Sequence, residues 1–224
     1  MKITIITACF NSIATIRDAI ESVRTQKLPS GVELEHLIID GGSSDGTEKL
    51  ATISEPDRGM YDAINKGIRM ATGDIIGILN ADDILASDDV VARIAGEFLN
   101  GRVEHKERKE LDCVYGKVYF VNALGGKPVR RCFAQLWRPW MLQWGYMPPH
   151  PGIFIRKSCF TQWGGYVPDR AEYRIAIISL AREIARMLGS MLRKYGTIHR
   201  STSTLDFDLD IQQNSEIVKH PLDK

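Results

Sequence analysis

The chain has 224 residues, 44% hydrophobic and 25% charged, with 29 Lys plus Arg against 28 Asp plus Glu and a formal net charge of +1. That balance supplies one sizeable globular core and disfavours a nucleic-acid coat or a basic tail protein. Four cysteines, Cys9, Cys113, Cys132 and Cys159, stand far apart without a Cys-x-x-Cys, which excludes a zinc ribbon or thioredoxin-type site and reads as buried or incidental thiols. No run reaches the ~20 apolar residues of a membrane span. The apolar start lacks a small-residue cleavage site and reads as a first strand, so the expected location is cytoplasmic.

Ile3 to Cys9 predicts that strand, and Asn11 or Ser12 is placed to cap a helix carrying Ile13, Ile16, Ile20 and Val23 at spacings of three and four. Leu34 to Ile39 predicts a second strand, stopping at Asp40 before a run of Gly41, Gly42, Ser43, Ser44, Asp45 and Gly46. A short helix is expected from Thr47 to Ile53, and another lined by Tyr61, Ile64, Ile68 and Met70. Asp74 to Leu79 predicts a third strand, ending in Asn80, Ala81, Asp82 and Asp83; Val90, Val91, Ile94 and Phe98 then mark a helix that Asp88 or Asp89 would cap. Strand–helix alternation implies an α/β fold with a mostly parallel sheet covered on both faces.

The charged stretch Gly101 to Glu110 reads as a solvated loop or helix end. Hairpin-like strands are expected at Asp112 to Val121 and Lys127 to Ala134, and a further strand through Ile153 to Ile155. Glu172 to Tyr195 has a helical pattern, with an apolar stripe beside Arg174, Arg182 and Arg186. An ordinary core-facing helix is the commoner reading, and docking at the inner face of a membrane is the alternative. From Ser201 the tail reads as irregular.

Ligands of an open parallel sheet bind beyond the carboxyl ends of its strands. Three strands here end in polar or acidic clusters: Thr7 to Asn11, Asp40 to Gly46, and Asn80 to Asp83. One such carboxylate is as easily a helix cap; three clusters at corresponding ends point to a site. Asp82 and Asp83 repel unless a cation or a hydrogen-bonded substrate lies between them. Oxygen ligands without His or Cys suit Mg²⁺ or Mn²⁺ shared with phosphates. No Gly-x-Gly-x-x-Gly, Gly-Lys-Ser/Thr or Gly-x-Ser-x-Gly occurs at these turns, so a dinucleotide fingerprint, a P-loop and a hydrolase elbow are unsupported.

Four motifs then occur in order: Thr7 to Asn11, Ile39 to Thr47, Ser54 to Gly67 (Ser-Glu-Pro-Asp-Arg-Gly-Met-Tyr-Asp-Ala-Ile-Asn-Lys-Gly) and Gly73 to Asp83. Together they resemble the bacterial family 2 glycosyltransferases, which have the GT-A fold and build surface polysaccharides. The likeness is strong over residues 1–100 and resumes at Pro149 to Arg156 and Gly164 to Tyr166. It implies one GT-A domain over 1–200, with a nucleotide-binding half at 1–100, an acceptor half at 110–200 and a tail at 201–224. It further implies that Asp40 holds the nucleotide base with Thr7 in the same pocket, that Asn11 is a further substrate-binding residue, that Asp82 contacts the ribose, and that Asp83, with Asp82, ligates Mn²⁺ or Mg²⁺ on the diphosphate. Arg58 and Lys66 would lie near the nucleotide or order its loop, with surface salt bridges as the alternative, and His150 would sit near the acceptor or diphosphate. The partners implied are a nucleotide-sugar donor, most simply a UDP-sugar, and a saccharide or lipid-linked acceptor, joined by inverting displacement.

After Gly164, Gly165 and Tyr166 the chain departs from the family's pattern, because the acid usually found close to the acceptor has no clear counterpart. Asp169, Glu172 and Glu183 are the candidate bases. The alternative is a non-catalytic nucleotide-sugar-binding or scaffolding homologue.

Overall fold

Strand β1, Lys2–Cys9, is apolar on both sides because it is buried on both sides. Ile3 and Ile5 turn to one face, where they meet Ala19, Val23 and Ile94. Ile6 turns to the other and meets Ile39, Ile64 and Ile68. Helix α1, Ile16–Arg24, supplies Ala19 and Val23; helix α2, Met60–Met70, supplies Ile64 and Ile68. The predominantly apolar run is thus the signature of a strand at the centre of a covered sheet. This computed structural model describes residues 1–104, 107–121, 128–132, 150–166 and 210–214.

β1 pairs in parallel with β2, Glu33–Asp40, and with β4, Ile75–Ile78; β3, Ile53–Ser54, adds to the far side of β2. Beyond β4 lie β11, Ile153–Arg156, and β8, Cys113–Tyr115, and β11 runs antiparallel to both neighbours. The order β3-β2-β1-β4-β11-β8 makes a mostly parallel six-stranded sheet. The chain winds outward from β1 to β3 and then crosses back to β4, so the switch in strand order lies between β1 and β4. A crevice opens at the carboxyl ends of the strands there. Close packing of β4 needs Gly77, because a Cβ at that position would overlap the Phe154 ring.

A second sheet holds β10, Pro128–Cys132, β9, Lys117–Val121, β12, Asp210–Asn214, and β5, Asp83–Leu85, in that order. Helix α3, Val90–Asn100, follows β5 and buries Val90, Val91, Ile94 and Phe98 as its periodicity predicts.

Several elements differ from the sequence reading. The charged stretch after Gly101 forms a hairpin of β6, Arg102–Glu104, and β7, Glu107–Lys109. Residues 210–214 of the tail form a strand, parallel to β9 and antiparallel to β5. Thr47–Leu50 makes a single 3₁₀ turn, and Ile53, expected at a helix end, enters β3. Helix α1 starts at Ile16 with no side-chain cap, leaving Ile13, Asn11 and Ser12 outside it. Asp89 occupies the first position before α3 but bonds Ser87 and Arg93 instead of capping, while Asp88 pairs with Lys27. Met70 is 39% exposed and does not line α2's buried face. Cys9 and Cys159 are buried and Cys113 is half-buried, all three as free thiols. Glu172 to Tyr195 lies outside the described residues, and no described helix is long and apolar enough to cross a membrane.

Candidate active site

The ends of β1 and β2 are knitted together by hydrogen bonds between residues some thirty positions apart. Gly41 N–H donates to the Cys9 carbonyl at 3.0 Å, and Asn11 N–H donates to Ser43 Oγ at 2.7 Å. Asn11 Oδ1 accepts from Ser44 N–H at 3.1 Å, with the Asn11 backbone at φ 47°. Ser12 N–H donates to Thr47 Oγ1, and Ile13 N–H to Asp45 Oδ2. This explains why neither Asn11 nor Ser12 caps α1. Gly42 and Gly46 adopt φ of 85° and 103°, values that a side chain resists, and so let the loop fold back on itself.

Asp40, the last residue of β2, is fully buried at the centre of this loop. Its Oδ2 accepts from Gly42 N–H at 3.1 Å, Ser43 N–H at 2.9 Å and Ser54 Oγ at 2.6 Å. Its Oδ1 accepts from Ser43 Oγ and, at 3.8 Å, from the Cys9 thiol. Burial pushes the carboxyl upward, but donors from Ser43, Ser54 and Gly42 outweigh it and hold Asp40 below its ordinary value. Cys9 is pushed up to about 12, first by burial and then by the Asp40 charge, which makes it an inert thiol. Thr7, expected to line the pocket, has no exposed surface; its hydroxyl lies 3.0 Å from His36 Nε2 behind the site. Burial holds His36 down at about 4, so the pair is neutral.

The β4–β5 loop is built differently. Asn80 Nδ2 donates to Asp83 Oδ2 at 2.8 Å, and Asp83 N–H returns to the Asn80 carbonyl at 3.1 Å. Asp83 is fully buried, and its Oδ1 has no hydrogen-bond partner among the described residues. Burial first, and the Asp82 charge second, push Asp83 up to about 8 against the Asn80 hydrogen bond. Burial also raises Asp82, which keeps part of its surface exposed. Asp83 opens β5 instead of closing a loop, so its carboxylate is set by strand geometry. Two under-coordinated carboxyl groups side by side, one holding an orphaned oxygen, fit a hard divalent cation. Among the described residues no group of three or more His, Cys, Asp or Glu side chains gathers to hold an ion. An ion here would therefore complete its shell with phosphate oxygens and water.

Arg58 and Lys66 belong to the segment between β3 and α2. Arg58 is largely exposed, with Nε 3.6 Å from Asp62. Lys66 Nζ reaches back from α2 to Glu55 at 3.0 Å and to the Pro56 carbonyl at 3.1 Å, tying the loop to the helix. Gly164 to Tyr166 is pinned to the same helix. Asn65 Nδ2 donates to the Tyr166 carbonyl at 2.6 Å, Tyr166 N–H donates to Asn65 Oδ1 at 2.8 Å, and the Tyr61 and Tyr166 rings stack at 5.3 Å. An open cleft of ≈ 400 Å³ beside them is lined by Asn65, Arg69, Lys157 and Tyr166 and includes none of the strand-end carboxylates. His150 opens a short turn before β11; Asp169, Glu172 and Glu183 lie outside the described residues. Sequence reasoning missed Ser43 and Ser54 as the donors that hold Asp40, although both stand in the quoted motifs.

The chain matches the family Glycosyl transferase family 2 over residues 4–142 and belongs to it. It is 37% identical over 186 residues to an uncharacterised glycosyltransferase of Mycobacterium tuberculosis, covering 75% of this chain and 63% of the relative. It is 33% identical over 127 residues to a PGL/p-HBAD biosynthesis glycosyltransferase of Mycobacterium bovis, covering 51% of this chain and 46% of that one. The chain thus spans less than two thirds of the length of these relatives. Among solved structures, the mannosyltransferase PcManGT of Pyrobaculum calidifontis, in complex with GDP-Man and Mn²⁺, superposes with a TM-score of 0.59 at 20% identity, covering 97% of this chain and 58% of that one. S. aureus TarS in complex with UDP-GlcNAc gives 0.57 at 15% identity, covering 83% and 54%. These likenesses establish the GT-A fold.

Proposed function

We propose that this chain moves a sugar from a nucleotide-sugar donor, most simply a UDP-sugar, to a saccharide or lipid-linked acceptor by inverting displacement. The observation that carries the reading is the orphaned Oδ1 of buried Asp83 beside Asp82, at the switch point of a GT-A sheet. The two carboxylates would hold Mn²⁺ or Mg²⁺, which when bound neutralises charge on the departing diphosphate. The GDP-Man and Mn²⁺ complex of PcManGT supports the donor and metal classes. Asp82, the more exposed of the pair, faces the donor; Asp83 is held from behind by Asn80. Asp40 and Asn11 fix the loop that walls the base pocket. Lys66 holds the β3–α2 loop against that wall. The base that takes the acceptor hydroxyl's proton is assigned to Asp169, Glu172 or Glu183.

Calorimetric titration with UDP, with and without Mn²⁺, tests the donor site. The expected outcome is affinity that depends on the metal. Turnover of a UDP-sugar panel with saccharide and lipid-linked acceptors tests the activity; metal-dependent binding without any transfer would make the chain a binding protein.

A further inference from the structure

The carboxylate named for the base by resemblance, Asp40, is saturated. A carboxylate offers about four lone-pair directions. Asp40 already receives Gly42 N–H, Ser43 N–H and Ser54 Oγ on one oxygen, and Ser43 Oγ and the Cys9 thiol on the other. Taking another donor would break part of the loop that it organises.

A second carboxylate reaches the same place from a different segment. Asp57 sits in the loop between β3 and α2, and its Oδ1 accepts Gly59 N–H at 2.8 Å. Its Oδ2 has no hydrogen-bond partner among the described residues, and Asp57 as a whole is half-buried. That oxygen lies 2.8 Å from where a Cβ on Gly41 would stand, so the carboxylate fills the space that a side chain at position 41 would take. Gly41 is the residue that bonds Cys9 across the ends of β1 and β2, which puts Asp57 over their junction. The Lys66 contacts to Glu55 and Pro56 hold the loop from behind. The result is a pre-positioned acceptor that needs no rearrangement to receive a donor.

We infer that Asp57 reads the nucleobase, accepting a hydrogen bond on Oδ2 from a ring N–H of the kind that uracil and guanine carry; this rests on the nucleotide-sugar reading above. Cytosine and adenine present a lone pair at the corresponding ring nitrogen, which a carboxylate repels. Sites built to hydrogen-bond a substrate N–H reject analogues that lack it, because the buried group is left unpaired. Asp57 is therefore a specificity-determining residue, and Asp40 is the scaffold beneath it.

Asp57→Asn separates the two roles. An amide keeps its oxygen on Gly59 N–H, which turns the NH₂ group toward the base and replaces an acceptor with a donor. With Mn²⁺ present, calorimetry on wild type should favour UDP over CDP, or GDP over ADP. In Asp57→Asn that ratio should fall about tenfold or more, the scale of one hydrogen bond to a charged group. Gly41→Ala, which pushes the carboxylate aside without removing it, should lower the same ratio. Glu35→Gln, at the far end of β1 and β2 from the crevice, should leave the ratio alone. An unchanged ratio in both Asp57→Asn and Gly41→Ala, with wild type still binding UDP in a metal-dependent way, overturns the assignment of Asp57 alone. Wild type that binds no nucleoside diphosphate overturns the donor-site reading and this inference with it.

Discussion

The two loops that flank the crevice treat their acids in opposite ways. At the end of β2, Asp40 is buried with donors on both oxygens, and Asp45 accepts Ile13 N–H, Thr47 N–H and Thr47 Oγ1. Hydrogen bonds hold both carboxyls below their ordinary values: Asp40 against the upward push of burial, Asp45 chiefly through Thr47. At the end of β4, Asp83 is just as buried but receives one side-chain donor, and burial with the neighbouring Asp82 charge pushes it up. A satisfied buried carboxylate stabilises the loop around it. An unsatisfied one destabilises the empty fold and gains when a cation arrives. Hydrogen bonding makes the first loop framework; under the proposed function, the second is the one that takes the ligand.

The strongest way to break this contrast is Asp83→Asn. The amide keeps the size of the side chain and cannot take up the charge that burial and Asp82 both oppose, so the thermal midpoint should stay level or rise. Metal-dependent donor binding and turnover should fall at least about a hundredfold, the scale for losing a charged group that acts at the reacting diphosphate. Unfolding by heat is read beside Mn²⁺-dependent UDP titration. A variant that melts lower yet keeps its metal dependence would place Asp83 with Asp40, as framework.

Asp40→Ala should do the reverse. It leaves Ser43, Ser54 and two backbone N–H groups without their acceptor, at a cost of about 2–3 kcal/mol. Chemical denaturation should show that loss. The metal dependence of whatever nucleotide binding remains should be intact.

The parts legible in the sequence were those set by local pattern. The apolar runs gave β1, β2, β4 and β11, and helical spacing gave α1, α2 and α3. What the sequence hid depends on partners far along the chain. Asn11 looks like a helix cap until Ser43 and Ser44 are brought beside it, more than thirty residues away. Thr7 looks like a pocket residue until His36 covers its hydroxyl. Asp82 and Asp83 look alike in sequence; strand geometry at β5 buries one and leaves the other partly open. Residues 210–214 carry little strand signal of their own and gain order by pairing with β9 and β5. The cluster of strand-end acids was readable, but which of them is framework was not, since that is decided by hydrogen bonds across segments.

The smallest effect sharpens the comparison from the far end of the same strands. Glu35 lies opposite Thr4 in the β1–β2 register, away from the crevice. Its oxygens accept from Thr4 Oγ1 at 2.6 Å and from Thr72 N–H and Oγ1 at 2.8 and 2.6 Å, and Lys2 stands 3.3 Å away. Burial pushes the carboxyl up, but the hydrogen bonds from Thr4, Thr72 and Lys2 together outweigh it and hold Glu35 at about 2, below the ordinary 4.5. A depressed carboxyl binds its proton more weakly in the folded chain than in the unfolded one. Its contribution to stability is therefore complete above about pH 4.5 and is lost as pH falls toward about 2. Glu35→Gln should cost about 1 kcal/mol at neutral pH, as a charged acceptor becomes a neutral one. It should also flatten the fall in thermal midpoint between about pH 4.5 and 2 relative to wild type. Because Glu35 touches nothing at the crevice, metal-dependent nucleotide binding at neutral pH should be unchanged. Equal acid slopes in the two proteins would show that the Glu35 hydrogen bonds do not favour its charged form. A change in nucleotide affinity would show that this end of the sheet is coupled to the site.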